Sequence, residues 1–409
     1  MNASAPEPGY LTGTLPGIGG HIREIPEDFR VEEIPLYAPS GQGDHLYLRV
    51  EKTGLGTLEV ARILAKTFQV PQQAIGYAGL KDTRAVTVQT FSIHHGQAEQ
   101  AERLCHPQIR ILAISRHGNK LRPGHLAGNR FELTLRHVDR DAQDKAADIL
   151  AVLQDLGVPN FFGPQRYGVL GNNDQVGLAL LKRRWHQALA AIIGDAARIR
   201  HPDWRAAAEA FARGDLTECL RRLPPRMRDE RSLVEALLRG QKDREALFLI
   251  PKQRLRLYLS AFQARLFDRI LAMRLATIER VWAGDIAYRH DNGACFRVDD
   301  PATEQQRADR FEISATGPLF GRKMLTPTGQ SALLEASLLD KFGLSYDDFR
   351  PGAGLNLEGD RRPLRVPLDK VEMEAGPGQL RLCFTLPRGS YATSLLREVM
   401  KSPLVGVTC

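Results

Sequence analysis

The chain has 409 residues, 43% of them hydrophobic and 25% charged, which excludes an intrinsically disordered protein and allows two or three domains. Lys and Arg outnumber Asp and Glu by 56 to 48, and the resulting charge of +8 suits a polyanionic partner such as nucleic acid. No apolar run reaches the length of a membrane span, and the first residues lack the basic and apolar regions of a signal peptide.

Residues 1–20, dense in Gly and Pro, read as an irregular lead-in. PEDFRVEEIP at 26–35 alternates Phe29 and Val31 with polar positions, and HLYLRV at 45–50 repeats the pattern; both are predicted strands. Thr57 is the expected cap of a helix running to Phe68, with Val60, Ala61, Leu64 and Phe68 on one face and Pro71 beyond its end. Gly76 and Gly79 permit a tight loop before a strand at 86–93. That strand sets Val86, Val88, Thr90 and Ser92 on one side and Thr87, Gln89, Phe91 and Ile93 on the other. Further strands are expected at 109–114 and 129–136, then a helix over 146–156 stopped by Gly157 and Pro159. Residues from about 176 to 275 are rich in helix formers, with Gly214 and Gly240 at helix ends. Short alternating pieces follow over 280–325, then a helix near 333–342, a strand in QLRLCFTL at 379–386 and a helix in TSLLREVM at 393–400. Hairpin-like strands mixed with helices, without regular βαβ units, indicate an α+β fold.

Chemistry concentrates in IGYAGLKDTRAVTVQTFSI at 75–93. It sets one carboxylate, Asp82, in a glycine-flanked turn between Lys81 and Arg84. Nearby cations favour the carboxylate form, which suits a nucleophile or general base better than a proton donor. A turn Asp in a surface salt bridge fits the same spacing. Asn129 carries donors and an acceptor, enough to hold a nucleobase edge or to orient the acid. Phe131, two residues on, shares its strand face and could stack on a flipped base; a core Phe beside an Asn that satisfies backbone is the structural alternative. Arg23, Lys52, Lys81, Arg84, Arg122, Arg130 and Arg166 are candidate phosphate contacts. Walker, dinucleotide, zincin and calcium-loop patterns are all missing. The histidines are scattered, with His94 and His95 on opposite faces if the strand continues, and the five distant cysteines read as reduced, mostly buried thiols. Neither a metal nor a cofactor is expected, and Glu32 and Glu33, being consecutive, form no obvious acid pair.

Five segments together resemble the tRNA pseudouridine-13 synthase family, TruD. They are PEDFRVEEIP at 26–35, YAGLKDTRAVTVQ at 77–89, GNRFELTLR at 128–136, GVPNFFGPQRYG at 157–168 and LPRGSYATSLLRE at 386–398. The resemblance is weakest across roughly 180–330. It implies a discontinuous catalytic domain with a mixed, largely antiparallel sheet, residues 1–170 and 341–409, interrupted by a TruD-specific α+β insertion over 171–340. It also implies isomerisation of uridine to pseudouridine in tRNA, at position 13, without a cofactor. Asp82 falls on the family's catalytic aspartate, and Asn129, Phe131 and Phe29 on its substrate-contacting positions. Tyr391 stands where the family often has Phe, and Arg23 where some relatives have Lys. Lys81, Arg84 and Arg166 join Arg23 as contacts for RNA or for the acid. The expected partner is tRNA alone, bound by a cytoplasmic monomer. An RNA-binding or chaperone protein that has lost isomerisation is the alternative.

Overall fold

A thirteen-residue strand, Leu126–Val138, organises the part of the chain that carries Asp82. The computed structural model describes residues 9–349 and 354–402 and divides them into two units. One comprises Tyr10–Val158 and the chain from Val366, the other Pro159–Arg365. The expected breaks at 170/171 and 340/341 fall inside the second unit.

The first unit is built on one nine-stranded sheet. Its strands are β1 (Gly19–His21), β2 (Phe29–Pro35), β3 (His45–Thr53), β4 (Ile75–Tyr77), β5 (Val86–His94), β6 (Ile109–His117), β7 (Leu126–Val138), β8 (Asp369–Gly376) and β9 (Gln379–Pro387). They run in the order β8-β9-β7-β2-β5-β3-β6, with β1 added to β7 and β4 to β5. Only β2 and β5 pair in parallel, so the sheet is mixed and largely antiparallel.

Three helices cover the sheet: α1 (Thr57–Phe68), α2 (Ala142–Leu156) and α3 (Ala392–Met400). Ala146, Ile149, Leu150 and Leu153 line one stripe of α2 and join Leu133 and Leu135 of β7, Leu380 and Leu382 of β9, and Leu395, Leu396 and Val399 of α3. Each such fully buried Leu, Ile or Val side chain contributes about 1.5–3 kcal/mol. Gly157 ends α2 at φ 86°, returning its N–H to the Leu153 carbonyl. A second core forms where Val60, Ala61, Leu64 and Phe68 of α1 meet Leu46, Leu48 and Val50 of β3 and Phe91 and Ile93 of β5.

Several local expectations change. Gly56, not Thr57, is the cap of α1; Thr57 is its buried first residue, and its hydroxyl is used elsewhere. His95 has φ 54°, which ends β5 at His94 and leaves the two imidazoles 3.9 Å apart instead of on opposite faces. Of the four described cysteines only Cys219 and Cys383 are buried, and Cys105 is exposed. Cys409 lies outside the described residues.

The second unit is helical from Asn173 to Arg274, its longest helix being Lys252–Arg274. Gly214 and Gly240 end helices at positive φ, as expected. A four-stranded antiparallel sheet follows, in the order Cys295–Arg297, Ile286–Arg289, Ile313–Leu319, Asp360–Pro363. The GPQRYG segment belongs here because Asp268 of the long helix holds it. That carboxylate accepts from the Phe162 N–H at 3.0 Å and the Tyr167 hydroxyl at 2.5 Å, and burial lifts its pKa to about 6.

Gly76 marks the tightest backbone approach beside the site loop. A Cβ there would lie 2.3 Å from the Leu121 carbonyl oxygen and 2.4 Å from Ser92 Oγ, whereas one at Gly79 would meet nothing. Gly76→Ala is expected to destabilise the protein by about 1–3 kcal/mol through overpacking, with Gly79→Ala nearly neutral. Urea denaturation of the two variants tests the contrast; equal midpoints would refute it.

Candidate active site

Strand register sets the side chains of the site. Antiparallel pairing of β2 with β7 places Phe29 opposite Leu133, Val31 opposite Phe131 and Glu33 opposite Asn129. Alternate residues share a face, so the apolar pairs sink into the core and the row ends in a polar pair, Glu33 and Asn129. The loop 78–85 between β4 and β5 adds Lys81 and Asp82.

Lys81 joins that polar pair. Its ammonium donates to Asn129 Oδ1 at 2.5 Å and lies 3.4 Å from Glu33 Oε2, with both charged side chains almost wholly buried. Burial pushes the Glu33 carboxyl up and the Lys81 ammonium down, while their mutual attraction offsets part of each shift. Glu33 Oε1 also accepts from the Thr90 N–H at 3.3 Å. An ammonium has only donors, so the amide of Asn129 must turn its oxygen to Lys81. The Nδ2 donors of half-buried Asn129 are thereby directed away from it.

Asp82 is held through both side chain and backbone. Arg23 Nη2 donates to Asp82 Oδ2 at 3.0 Å; the arginine side chain is 5% exposed and the aspartate 28%, so the carboxylate still meets solvent. The Arg23 guanidinium also lies 3.8 Å over the ring of Phe29. Arg23 adopts φ 61°, a left-handed conformation that costs a non-glycine residue about 1–2 kcal/mol. Asp28, in the turn just beyond, is buried and accepts two donors of Arg136 on β7, at 2.9 and 2.7 Å, which ties this segment to the sheet.

Lys52 Nζ donates to the backbone carbonyls of Leu55 (2.6 Å) and Asp82 (3.1 Å). Burial lowers its pKa to about 8, against the pull of Asp82 and with the repulsion of Lys81. The Thr57 hydroxyl donates to Gln89 Oε1 and accepts the Lys81 N–H, both at 2.8 Å, and Gln89 Nε2 reaches the Gly79 carbonyl at 3.3 Å. Attachments at Gly79, at the backbone and side chain of Lys81 and at two atoms of Asp82 therefore fix one short loop.

Arg23, Phe29, Lys81, Asp82 and Asn129 thus converge by direct contact, whereas other expected residues lie differently. The cation on Asp82 Oδ2 is Arg23, distant in sequence; Arg84, the neighbour expected to flank the acid, is exposed. Phe131 is not an exposed ring: it is buried, stacked on Phe384 with centroids 5.3 Å apart and edge-on to Phe29 at 6.4 Å. Tyr391 is half-buried at the start of α3. Arg166 belongs to the other unit, its guanidinium 5.3 Å over Phe162. Sequence reading missed Glu33, Thr57 and Gln89 as site residues, because each is an ordinary strand or helix residue until the fold aims it. Nor are the histidines all dispersed: exposed His21 and His137 meet Glu24, with ligand atoms within 4.8 Å of one another. Glu24 Oε1 lies 3.0 Å from His137 Nε2.

Comparison with known proteins gives a consistent match. The family model described as "tRNA pseudouridine synthase D (TruD)" matches residues 7–399. A protein of Syntrophotalea carbinolica named tRNA pseudouridine synthase D is 54% identical over 393 residues, covering 96% of this chain and 99% of that one. A protein of that name from Thermus thermophilus is 40% identical over 395 residues, covering 96% and 92%. A crystal structure of a putative TruD from Methanosarcina mazei superposes with a TM-score of 0.80 at 28% identity, covering 98% of this chain and 99% of that one.

Two predictions test the buried cations. Lys81→Met leaves Glu33 buried without its partner and is expected to cost about 3–5 kcal/mol, whereas Lys81→Met with Glu33→Leu costs much less than the two single changes summed. Additive losses in urea unfolding would show that the pair is not coupled. For Lys52, folded protein binds fewer protons than unfolded protein between the lowered pKa of about 8 and the ordinary 10.5. Wild type should therefore gain stability relative to Lys52→Met as pH rises through that window. Thermal melts of both proteins at pH 7.5 and 10 read the difference; a constant gap contradicts it.

Proposed function

The chain belongs to the tRNA pseudouridine synthase D family, and from that premise we propose that it isomerises uridine to pseudouridine in tRNA, at position 13, with Asp82 as the catalytic carboxylate. One observation carries the residue assignment: a partly solvent-exposed carboxylate oxygen pair is pinned by a buried arginine on an otherwise immobilised loop. A carboxylate so held can meet the sugar of an extruded nucleotide without first being reorganised. It opens the reaction either by adding to the nucleoside or by removing a sugar proton on a glycal route. The bond from C1′ to N1 breaks, the detached uracil turns, and C1′ joins C5. C5 loses a proton and N1 gains one, so mass is unchanged. No electron transfer or phosphate activation is required, and no cofactor is invoked.

The remaining residues divide the binding of the nucleotide. Asn129, its oxygen engaged by Lys81, offers Nδ2 donors that match the carbonyl oxygens of uracil. Buried Phe29 and Phe131 form an apolar floor, and half-buried Tyr391 supplies a ring for stacking. Arg84 takes a backbone phosphate at this site and Arg166 one on its own unit, while Arg23 and Lys81 orient the acid and the amide. The protein works on tRNA as a cytoplasmic monomer. The reading as an RNA-binding protein without isomerisation gains nothing from the site, since the acid and its support are complete.

Asp82→Asn should lower pseudouridine formation on unmodified tRNA by roughly 10²–10⁴-fold while leaving tRNA affinity within a few-fold. Mapping of modified positions in the product, with a binding titration beside it, makes the measurement. Isomerisation at full rate by the amide variant, or release of free uracil by wild type, would overturn the assignment.

A further inference from the structure

We propose that the Pro159–Arg365 unit carries a phosphate-binding cleft of its own, on which part of the RNA backbone lies. The identity of the polyanion rests on the function proposed above; the cleft itself rests on geometry. A cavity of about 840 Å³ opens beside the helices Asn173–Leu181, Trp185–Ile193 and Lys252–Arg274. Five cations line it, Lys182, Arg184, Arg198, Arg265 and Arg269, against two acids, Asp174 and Asp195. Each acid has one oxygen engaged, while Asp174 Oδ1 is buried without a hydrogen-bond partner. Asp174 Oδ2 accepts from Arg265 Nε at 2.8 Å, and Asp195 Oδ1 accepts from the Ala197 N–H at 3.0 Å.

The other four cations have no ion pair among the described residues. Lys182 and Arg184 also border a neighbouring cavity of about 370 Å³ that contains Asp347 and Asp348, so the uncompensated charge centres on Arg198 and Arg269. Arg269 is the more telling. Its Nε is buried without a hydrogen-bond partner, and its guanidinium lies 4.7 Å over the ring of Phe342. Burial and the neighbouring Arg265 disfavour its charge, and the attraction of Asp174 offsets part of that. Stacking occupies the face of a guanidinium and keeps its in-plane N–H fork available, the geometry that grips a phosphate with two parallel hydrogen bonds. Low-dielectric walls concentrate the field of such a group inside a cleft. Arg184 and Arg198 are exposed, so the positive charge continues from floor to rim, as a polymer needs and a small anion does not.

The test uses full-length protein and unmodified tRNA, with binding measured over salt from about 50 to 200 mM. Arg198→Gln with Arg269→Gln is expected to make the plot of log K against log salt shallower by about 1.4, with binding roughly tenfold weaker at the lowest salt. Arg269→Lys, which keeps the charge, should stay near the wild-type slope. If the double variant does not fold, exposed Arg198→Gln alone should remove about 0.7 from the slope. An unchanged slope in variants that melt with wild type, with no stabilisation of wild type by inorganic phosphate, overturns the cleft. If inorganic phosphate raises the melting temperature of wild type but not of the double variant, and the tRNA slopes agree, the site takes a small anion and the RNA assignment fails. Wild-type protein that modifies tRNA keeps these failures separate from failure of the functional reading; one that neither binds nor modifies tRNA overturns both.

Discussion

An acid on a loop keeps one position only if the loop cannot drift, and here three buried cations prevent it. Arg23 holds the side chain of Asp82, Lys52 holds its backbone carbonyl, and Lys81 anchors the preceding residue to the sheet through Asn129 and Glu33. Each cation must find acceptors, since an unpaired buried charge would cost several kcal/mol. The carbonyls of Leu55 and Asp82, the amide of Asn129 and the carboxylates of Glu33 and Asp82 are those acceptors. Immobilising the acid and satisfying the cations are therefore one requirement. The left-handed backbone of Arg23 is tolerable for the same reason: the ion pair and the ring of Phe29 together hold it there.

The cations can do this because the sheet register is fixed first. Shifting β2 against β7 by one residue would turn Glu33 away from Asn129 and carry Phe29 and Val31 out of the core. The apolar row that prevents such a slip, Phe29, Val31, Phe131 and Leu133 beneath α2 and α3, is continuous with the polar row that makes the site. Packing energy and the geometry of the polar site thus share one strand pair. The burial of Phe131 follows from this continuity, since Phe384 of β9 stacks on it from the adjoining strand.

Lys81 has a second consequence beyond support. Because an ammonium cannot accept a hydrogen bond, it settles which end of the Asn129 amide faces it. A residue able to present either donor or acceptor is reduced to a donor. In the other unit, Asp268 has a comparable place: one buried carboxylate gathers Tyr167 and the backbone of Phe162, so the glycine-rich loop is set by a helix about a hundred residues later.

Much of this protein was determined by local sequence. Period-two alternation in 29–35, 86–93 and 379–386 and three-and-four spacing in 57–68 and 146–156 dictated the strands and helices, because each pattern buries one face in one conformation only. The motif around Asp82 exposed the acid, and its neighbours Asn129, Phe29 and Arg23 were legible through resemblance to a family. Partnership was not legible. Lys81 and Arg84 flank Asp82 in the chain, yet its side chain is gripped by Arg23, fifty-nine residues away. Glu33, Thr57 and Gln89 looked like strand and helix filler, and Thr57 like a cap. Only strand pairing and helix packing decided which of these side chains meet, since a buried charge takes as its partner whatever group the fold, and not the chain, places beside it.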